Sequence, residues 1–186
     1  MKFTSKFSPE TKIISGIASL IIAVTMLMLI TTVSMIVRPF VSGSTVLGFY
    51  LIGIIALFAL LLAVYLTSPS GAVEVNEQAE TLLIGKRLRP VRISRSEIRS
   101  IRAVGREEQG GMYRLFGNGG WFGWSGLYGS KKLGRFQMIA TKRDNLVMVE
   151  TQRGKRIVFS VDDVNGLLTS VSGWSAPQPG PAGGRA

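Results

Sequence analysis

Histidine and cysteine are both absent from the 186 residues, and acidic side chains are scarce, 11 against 22 lysines and arginines. Without imidazole or thiolate there is no Ser/His/Asp or Cys/His arrangement and no nitrogen- or sulfur-ligated metal site. Carboxylates are then the only ligands left for a metal. Eight glutamates and three aspartates are scattered, and only Asp162-Asp163 and Glu107-Glu108 are adjacent. Adjacent side chains point to opposite faces of a strand and diverge by about 100° on a helix, so neither pair converges as acid/base work or Mg2+ binding requires. No catalytic residue, metal site or cofactor is assigned, and a non-enzyme is expected. The missing cysteines say nothing of redox compartment, because neither a reducing nor an oxidising space requires them.

Charge is also missing locally. Residues 13–37 and 44–66 contain no charged side chain over 25 and 23 positions, and about 20 apolar residues cross a bilayer core. The first run is longer than a signal-peptide core and closes on "VRPF" rather than on a small-residue cleavage site. Two transmembrane helices are expected, joined by "RPFVSGS" into a hairpin with both chain ends on one side. Lys2, Lys6 and Lys12 mark residues 1–12 as a basic N-terminal tail, whereas the link carries only Arg38, so both termini are placed in the cytoplasm. Small residues recur at Ser15, Ser19 and Ala23 and at Ala56, Ala59 and Ala63. Such stripes serve either packing of the hairpin against itself or a homo-oligomer.

Residues 72–174 read as a soluble domain of short strands. "AVEV" (72–75), "TLLIG" (81–85), "PVRIS" (90–94) and "EIRSIRAV" (97–104) precede a glycine-rich stretch; "RFQMIATK" (135–142), "NLVMVET" (145–151) and "KRIVFSV" (155–161) follow it, joined by the hairpin-sized links "KRDN" and "QRGK". Seven strands are therefore expected, with "NLVMVET" central because it is nearly all apolar. Asp162 and Asp163 then precede Val164, Leu167, Leu168 and Val171 at helical spacing, predicting one aspartate-capped helix. Residues 175–186, rich in Pro and Gly, are expected to be disordered.

Strands followed by a single C-terminal amphipathic helix is the order of a pleckstrin-homology (PH) barrel. An arginine, a glycine-and-aromatic segment, a strand ending near Ala-Thr, an apolar strand ending in Thr, a glycine turn and a strand entering the helix occur here in sequence. The positions are Arg114, Gly117, Asn118, Gly119, Gly123, Gly126, Tyr128, Gly134, Phe136, Ala140, Thr141, Thr151 and Gly154. Over residues 72–172 the chain resembles a family of bacterial membrane proteins with a PH-like domain. The resemblance implies a half-open barrel or sandwich closed by one helix, a location in the bacterial plasma membrane, and binding rather than catalysis. Many phosphoinositide-binding PH domains carry a lysine at the end of the first strand and R-x-R in the second. Arg87-Leu88-Arg89 supplies the second element, but the first turn, "NEQAE", holds no lysine.

The segment 114–134, "RLFGNGGWFGWSGLYGSKKLG", contains seven glycines and five aromatics. It misses the dinucleotide fingerprint, since the third glycine comes one place late and a strand follows. It also misses the Walker A pattern, because Arg135 and Phe136 stand where Lys and Ser/Thr are needed. Aromatics among basic residues suit single-stranded nucleic acid, but a tethered module has little access to it, and aromatics suit a membrane interface equally. The preferred reading is structural: Gly117, Gly119, Gly123, Gly126 and Gly134 let the chain make a bent crossing between two sheets, and the aromatics cap the core.

Basic residues define the candidate interaction surface: Lys86, Arg87, Arg89, Arg92, Arg114, Lys131, Lys132 and Arg135. Between residues 86 and 106 eight positive side chains face only Glu97. The expected function is a membrane-anchored, non-enzymatic module that binds a protein partner or anionic lipid headgroups of the inner leaflet. The alternative is a structural or assembly subunit acting through its transmembrane helices.

Overall fold

The computed structural model describes residues 1–37, 39 and 43–174; Arg38 and the segment 175–186 lie outside the described residues. Two long helices, α1 (Pro9–Val37) and α2 (Gly43–Thr67), cover the two charge-free runs. Ser8 caps α1, its Oγ accepting the Thr11 N–H at 3.2 Å, and Pro9 opens the helix where a missing N–H costs nothing. Both helices are long and apolar enough to cross a membrane, and they display Ile17, Leu20, Leu27, Ile55 and Phe58 on their outer faces.

The rest of the chain is mostly β. A four-stranded antiparallel sheet has the order β1 (Lys2–Thr4), β2 (Pro69–Asn76), β3 (Thr81–Lys86), β4 (Val91–Ser94). The remaining strands are β5 (Ile98–Ala103), β6 (Tyr113–Gly120), β7 (Gly123–Ser130), β8 (Gly134–Ala140), β9 (Leu146–Thr151) and β10 (Arg156–Ser160). They form a second sheet in the order β5-β9-β10-β8-β7-β6. A four-residue α3 (Arg106–Gln109) links β5 to β6, and α4 (Val164–Ser170) follows β10. Two sheets closed by a short C-terminal helix is the arrangement that the PH resemblance implies.

Ten strands form among the described residues, where alternation alone predicts seven. Two of the additional strands, β6 and β7, are built from the glycine segment, which lacks the β-branched residues that signal a strand. The third, β1, spans only three residues, too few to show a period. It forms because the chain start lies against β2, with Lys2, Phe3 and Thr4 opposite Glu74, Val73 and Ala72, and the terminal ammonium donates to the Val75 carbonyl at 2.5 Å. The link "KRDN" is not a hairpin. β10 pairs with β9 in antiparallel fashion and with β8 in parallel, so the chain leaving β8 steps across the place that β10 later fills.

Two apolar layers result. Between the sheets lie Val73, Val75, Leu82, Ile84 and Ile93 against Val147, Val149, Ile157 and Phe159, closed by Leu167, Val171 and Trp174. On the far face of the second sheet, Phe136, Met138, Ala140, Leu146, Met148 and Val158 pack with Tyr128 and Leu133. β9 is therefore buried on both faces, which is why its sequence shows no alternation. Asp163 caps α4 as its sequence predicts, accepting the Gly166 N–H at 2.8 Å.

Candidate functional site at the helix and domain junction

The glycine segment folds as a hairpin, with Gly117 opposite Gly126. At these two positions φ is +109° and +139°, and a Cβ would lie 2.3 Å from the Ser125 carbonyl oxygen or 2.2 Å from that of Phe116. Only glycine fits either place. Gly123 and Gly134 also have positive φ, whereas Gly119 does not and instead lies beneath the Arg114 guanidinium. The expected crossing between sheets is corrected: both strands stay in the second sheet, and β6 is its free edge. Nor do the aromatics act together. Tyr128 is buried and Trp124 half-buried against the outer core layer, Phe116 projects outward at 79% exposure, and Trp121 and Phe122 form the hairpin tip.

That tip is seated on the helices. The Ser15 hydroxyl accepts the Phe122 N–H at 2.7 Å and donates to the Thr11 carbonyl at 2.6 Å. Trp121 Nε1 donates to Ser19 Oγ at 3.0 Å. The Phe122 ring meets Tyr65 of α2 edge-on at 5.7 Å and stacks on Trp121 at 5.8 Å. The hairpin braces its own end: Asn118 Nδ2 donates to the Trp121 carbonyl, and the Tyr128 hydroxyl donates to the Asn118 carbonyl at 2.6 Å. Ser15 and Ser19, read from sequence as a helix-packing stripe, thus hold the domain's hairpin.

A second seam lies beside the first. Ser5, Thr141 and Ser160 form a buried hydroxyl triangle with O···O distances of 2.7, 2.8 and 3.2 Å, and Thr11 Oγ1 donates to the Thr141 carbonyl at 3.3 Å. Lys6 N–H and the Lys142 ammonium both donate to Asp162. Burial works to raise the Asp162 pKa, but these bonds outweigh it and leave the carboxyl below its ordinary range. Chain start, β8, β10 and the first turn of α1 are thereby stitched together.

The predicted cations do not converge on one surface. Arg87 lies at the junction, its guanidinium 4.1 Å above the Tyr65 ring and 5.8 Å from that of Phe7. Arg89 stands nearby in the β3–β4 turn, lining a cleft with Leu66 and Thr67 at the end of α2. Lys86 lines the same cleft, and burial, helped by Lys155, lowers its pKa below the usual lysine value. Arg92 lines a different groove of about 440 Å³ with Glu97, Arg153 and Lys155. Lys131 and Lys132 sit in the β7–β8 turn, at the other end of β7 from the hairpin tip, with Arg135 beside them on β8, and Lys132 approaches Glu107 at 3.4 Å. Arg114 runs along β6 over Gly119. Of the further arginines in 86–106, Arg95 binds Glu80 at 2.7 Å and Arg102 forms a bidentate pair with Glu108.

The adjacent carboxylates separate into structural roles. Asp162 holds the chain start and Asp163 caps α4. Glu107 meets Lys132, while the hydrogen bond from Arg102, aided by the Gly105 N–H, lowers the Glu108 pKa to about 2.

At the junction itself a cavity of about 320 Å³ opens between α1, the hairpin tip and the β3–β4 turn, with Lys12, Gly16, Ser19, Arg87, Phe7 and Phe122 among its walls. Sequence reading selected only Arg87 from this group. Aromatics at the ends of the apolar runs (Phe7, Tyr65) are the signal that could have found it, since such residues gather at membrane interfaces.

Comparison with curated proteins and with solved structures finds no match. The family model described as "Bacterial PH domain" matches residues 73–173, a stretch running from β2 to the turn after α4. With β3 to β10, the closing helix and more than half of its length inside that match, the chain belongs to the bacterial PH domain family.

Proposed function

We propose that this protein is a non-enzymatic, membrane-anchored PH-like module whose domain rests on the anionic cytoplasmic leaflet of a bacterial plasma membrane, with both chain ends inside. One observation carries the reading: the tip of the glycine hairpin is fastened to α1 at Ser15 and Ser19, inside the charge-free run. Ser19 lies seven residues beyond Lys12, a descent of about 10 Å along the helix axis. The run of 25 residues extends to about 38 Å, about 8 Å longer than the roughly 30 Å hydrocarbon core; with that surplus on the cytoplasmic side, Ser15 lies in the membrane interface and Ser19 at the edge of the hydrocarbon. Trp121, Phe122, Tyr65 and Phe7 form an aromatic belt there, with Arg87 beside it.

The depth of Trp121 tests this. In a variant carrying Trp124→Phe and Trp174→Phe, Trp121 is the only tryptophan. In vesicles its emission should be quenched by lipids brominated near the headgroup and shielded from aqueous acrylamide. Full access to acrylamide without bromine quenching would reject the leaflet reading.

A protein partner is a second reading with its own observation. Tyr113, Leu115 and Phe116 are exposed on the free edge strand β6, with Leu127 exposed beside them on β7. An unpaired edge with apolar side chains suits addition of a partner strand. A photo-crosslinking residue at Phe116 would then form a specific adduct in native membranes, and one at Arg153 would not.

A further inference from the structure

We propose that the junction cavity is a binding site for the headgroup of one anionic phospholipid. The inference rests on the leaflet reading and gives it a ligand. It starts from the two cations in the wall. Lys12 and Arg87 line a space of about 320 Å³, and among the described residues neither has a carboxylate within ion-pair distance. What sets these two apart is that they line one cavity together.

Arg87 is held in a way that leaves its donors available. Stacking on Tyr65 at 4.1 Å uses the face of the guanidinium, while its N–H groups lie in the plane and are free to grip phosphate oxygens. Ser19 adds a further donor: its oxygen accepts from Trp121, and its own proton has no acceptor among the described residues. Phe7 and Phe122 supply apolar walls.

The polarity gradient identifies a lipid rather than a soluble anion. Lys12 is the last charge before the run 13–37, so the cavity is cationic at one end and continues, past Gly16 and Ser19, toward the exposed Leu20 and Leu27 on the adjoining face of the same helix. A molecule with a phosphate at one end and acyl chains at the other matches both ends. Inorganic phosphate satisfies only the first.

Gly16 provides a clean block. A Cβ at this position meets nothing within 4 Å, so Gly16→Leu starts in open space at the cavity wall and raises helix propensity. The full chain, reconstituted in nanodiscs of phosphatidylcholine and phosphatidylglycerol and released into neutral detergent, is examined by native mass spectrometry. The parent should retain one phosphatidylglycerol in preference to phosphatidylcholine. Retention should fall by about tenfold or more in Lys12→Gln plus Arg87→Gln, the scale of losing charge-assisted hydrogen bonds, and also in Gly16→Leu. Arg153→Gln plus Lys155→Gln, which removes the same charge at exposed positions elsewhere, should leave it unchanged.

Equal retention of both lipids, or unchanged retention in Gly16→Leu and in the Lys12/Arg87 variant, would overturn the assignment. Displacement of the lipid by millimolar inorganic phosphate would make the cavity a free-anion site and overturn it equally. If Trp121 is quenched at interface depth while retention does not respond, only this site fails; if Trp121 is not quenched, the leaflet reading falls with it.

Discussion

Replacing Ser15 by alanine should loosen the hairpin tip without unfolding the chain, and the size of the effect follows from two short hydrogen bonds, a third contact, to the Gly120 carbonyl, being long at 3.4 Å. Ser15 is 6% exposed. Its donation to the Thr11 carbonyl at 2.6 Å is dispensable, because that carbonyl is positioned to accept the helical bond from the backbone N–H four residues on. Its acceptance of the Phe122 N–H at 2.7 Å is not dispensable, since no other acceptor serves that donor among the described residues. Leaving a buried donor unsatisfied costs about 1 to 3 kcal/mol, which corresponds to about a 5- to 140-fold rise in the population of the open tip. Hydrogen–deuterium exchange of the full chain in neutral micelles, read on a peptide spanning Phe122, measures that opening directly. Thr25→Ala is the control, because its hydroxyl bonds only to the Ile21 carbonyl of its own helix. Unchanged exchange at Phe122 in Ser15→Ala, or an equal change in Thr25→Ala, would refute the seating of the tip on α1 and remove the main support for the leaflet reading.

Gly117→Val and Gly126→Val each force a side chain into a carbonyl 2.3 or 2.2 Å away at positive φ. Strain alone costs about 1 to 3 kcal/mol, so both should lower the melting temperature of the full chain by at least about 2 °C, whereas Gly48→Ala, with open space around its Cβ, should not; equal melting of all three would show that the glycines are not structural. Glu108, with its pKa lowered to about 2 from an ordinary 4.5, contributes stability that is fully present above pH 4.5, declines as pH falls and is gone below about 2. Its carboxyl NMR shift should follow that midpoint, and Arg102→Gln should move it up toward 4.5; an unmoved midpoint would exclude Arg102 as the cause. For topology, Pro39→Cys and Arg153→Cys, both at exposed positions of this cysteine-free chain, should label from outside intact cells and only after permeabilisation, respectively. Reversed labelling would invert the proposed orientation.

Much of the architecture was legible before any coordinates because it rests on local rules. The charge-free runs became α1 and α2, since a long apolar stretch without proline satisfies its backbone most readily as a helix. Alternation at Val91 and Ile93, and at Ile157 and Phe159, assigned those strands and their inward faces, and Asp163 announced α4 by the bond it makes three residues on. The ordered pattern from Arg114 to Gly154 was enough to suggest the family.

Tertiary structure alone decided the rest, because it turns on pairings between residues far apart in the chain. Nothing local in "KFT" says strand; β1 exists because β2, some 70 residues later, offers it an edge. The links around β9 differ by only one residue, five against four, yet β10 entered between β8 and β9 because that placement buries both faces of the apolar strands. Ser15 and Ser19 looked like helix packing until Trp121 and Phe122, more than 100 residues away, proved to be their partners. The basic residues were distributed by strand alternation and ion pairing to separate faces, and of them Arg87 lines the junction cavity, which Lys12 completes and neither segment encodes by itself.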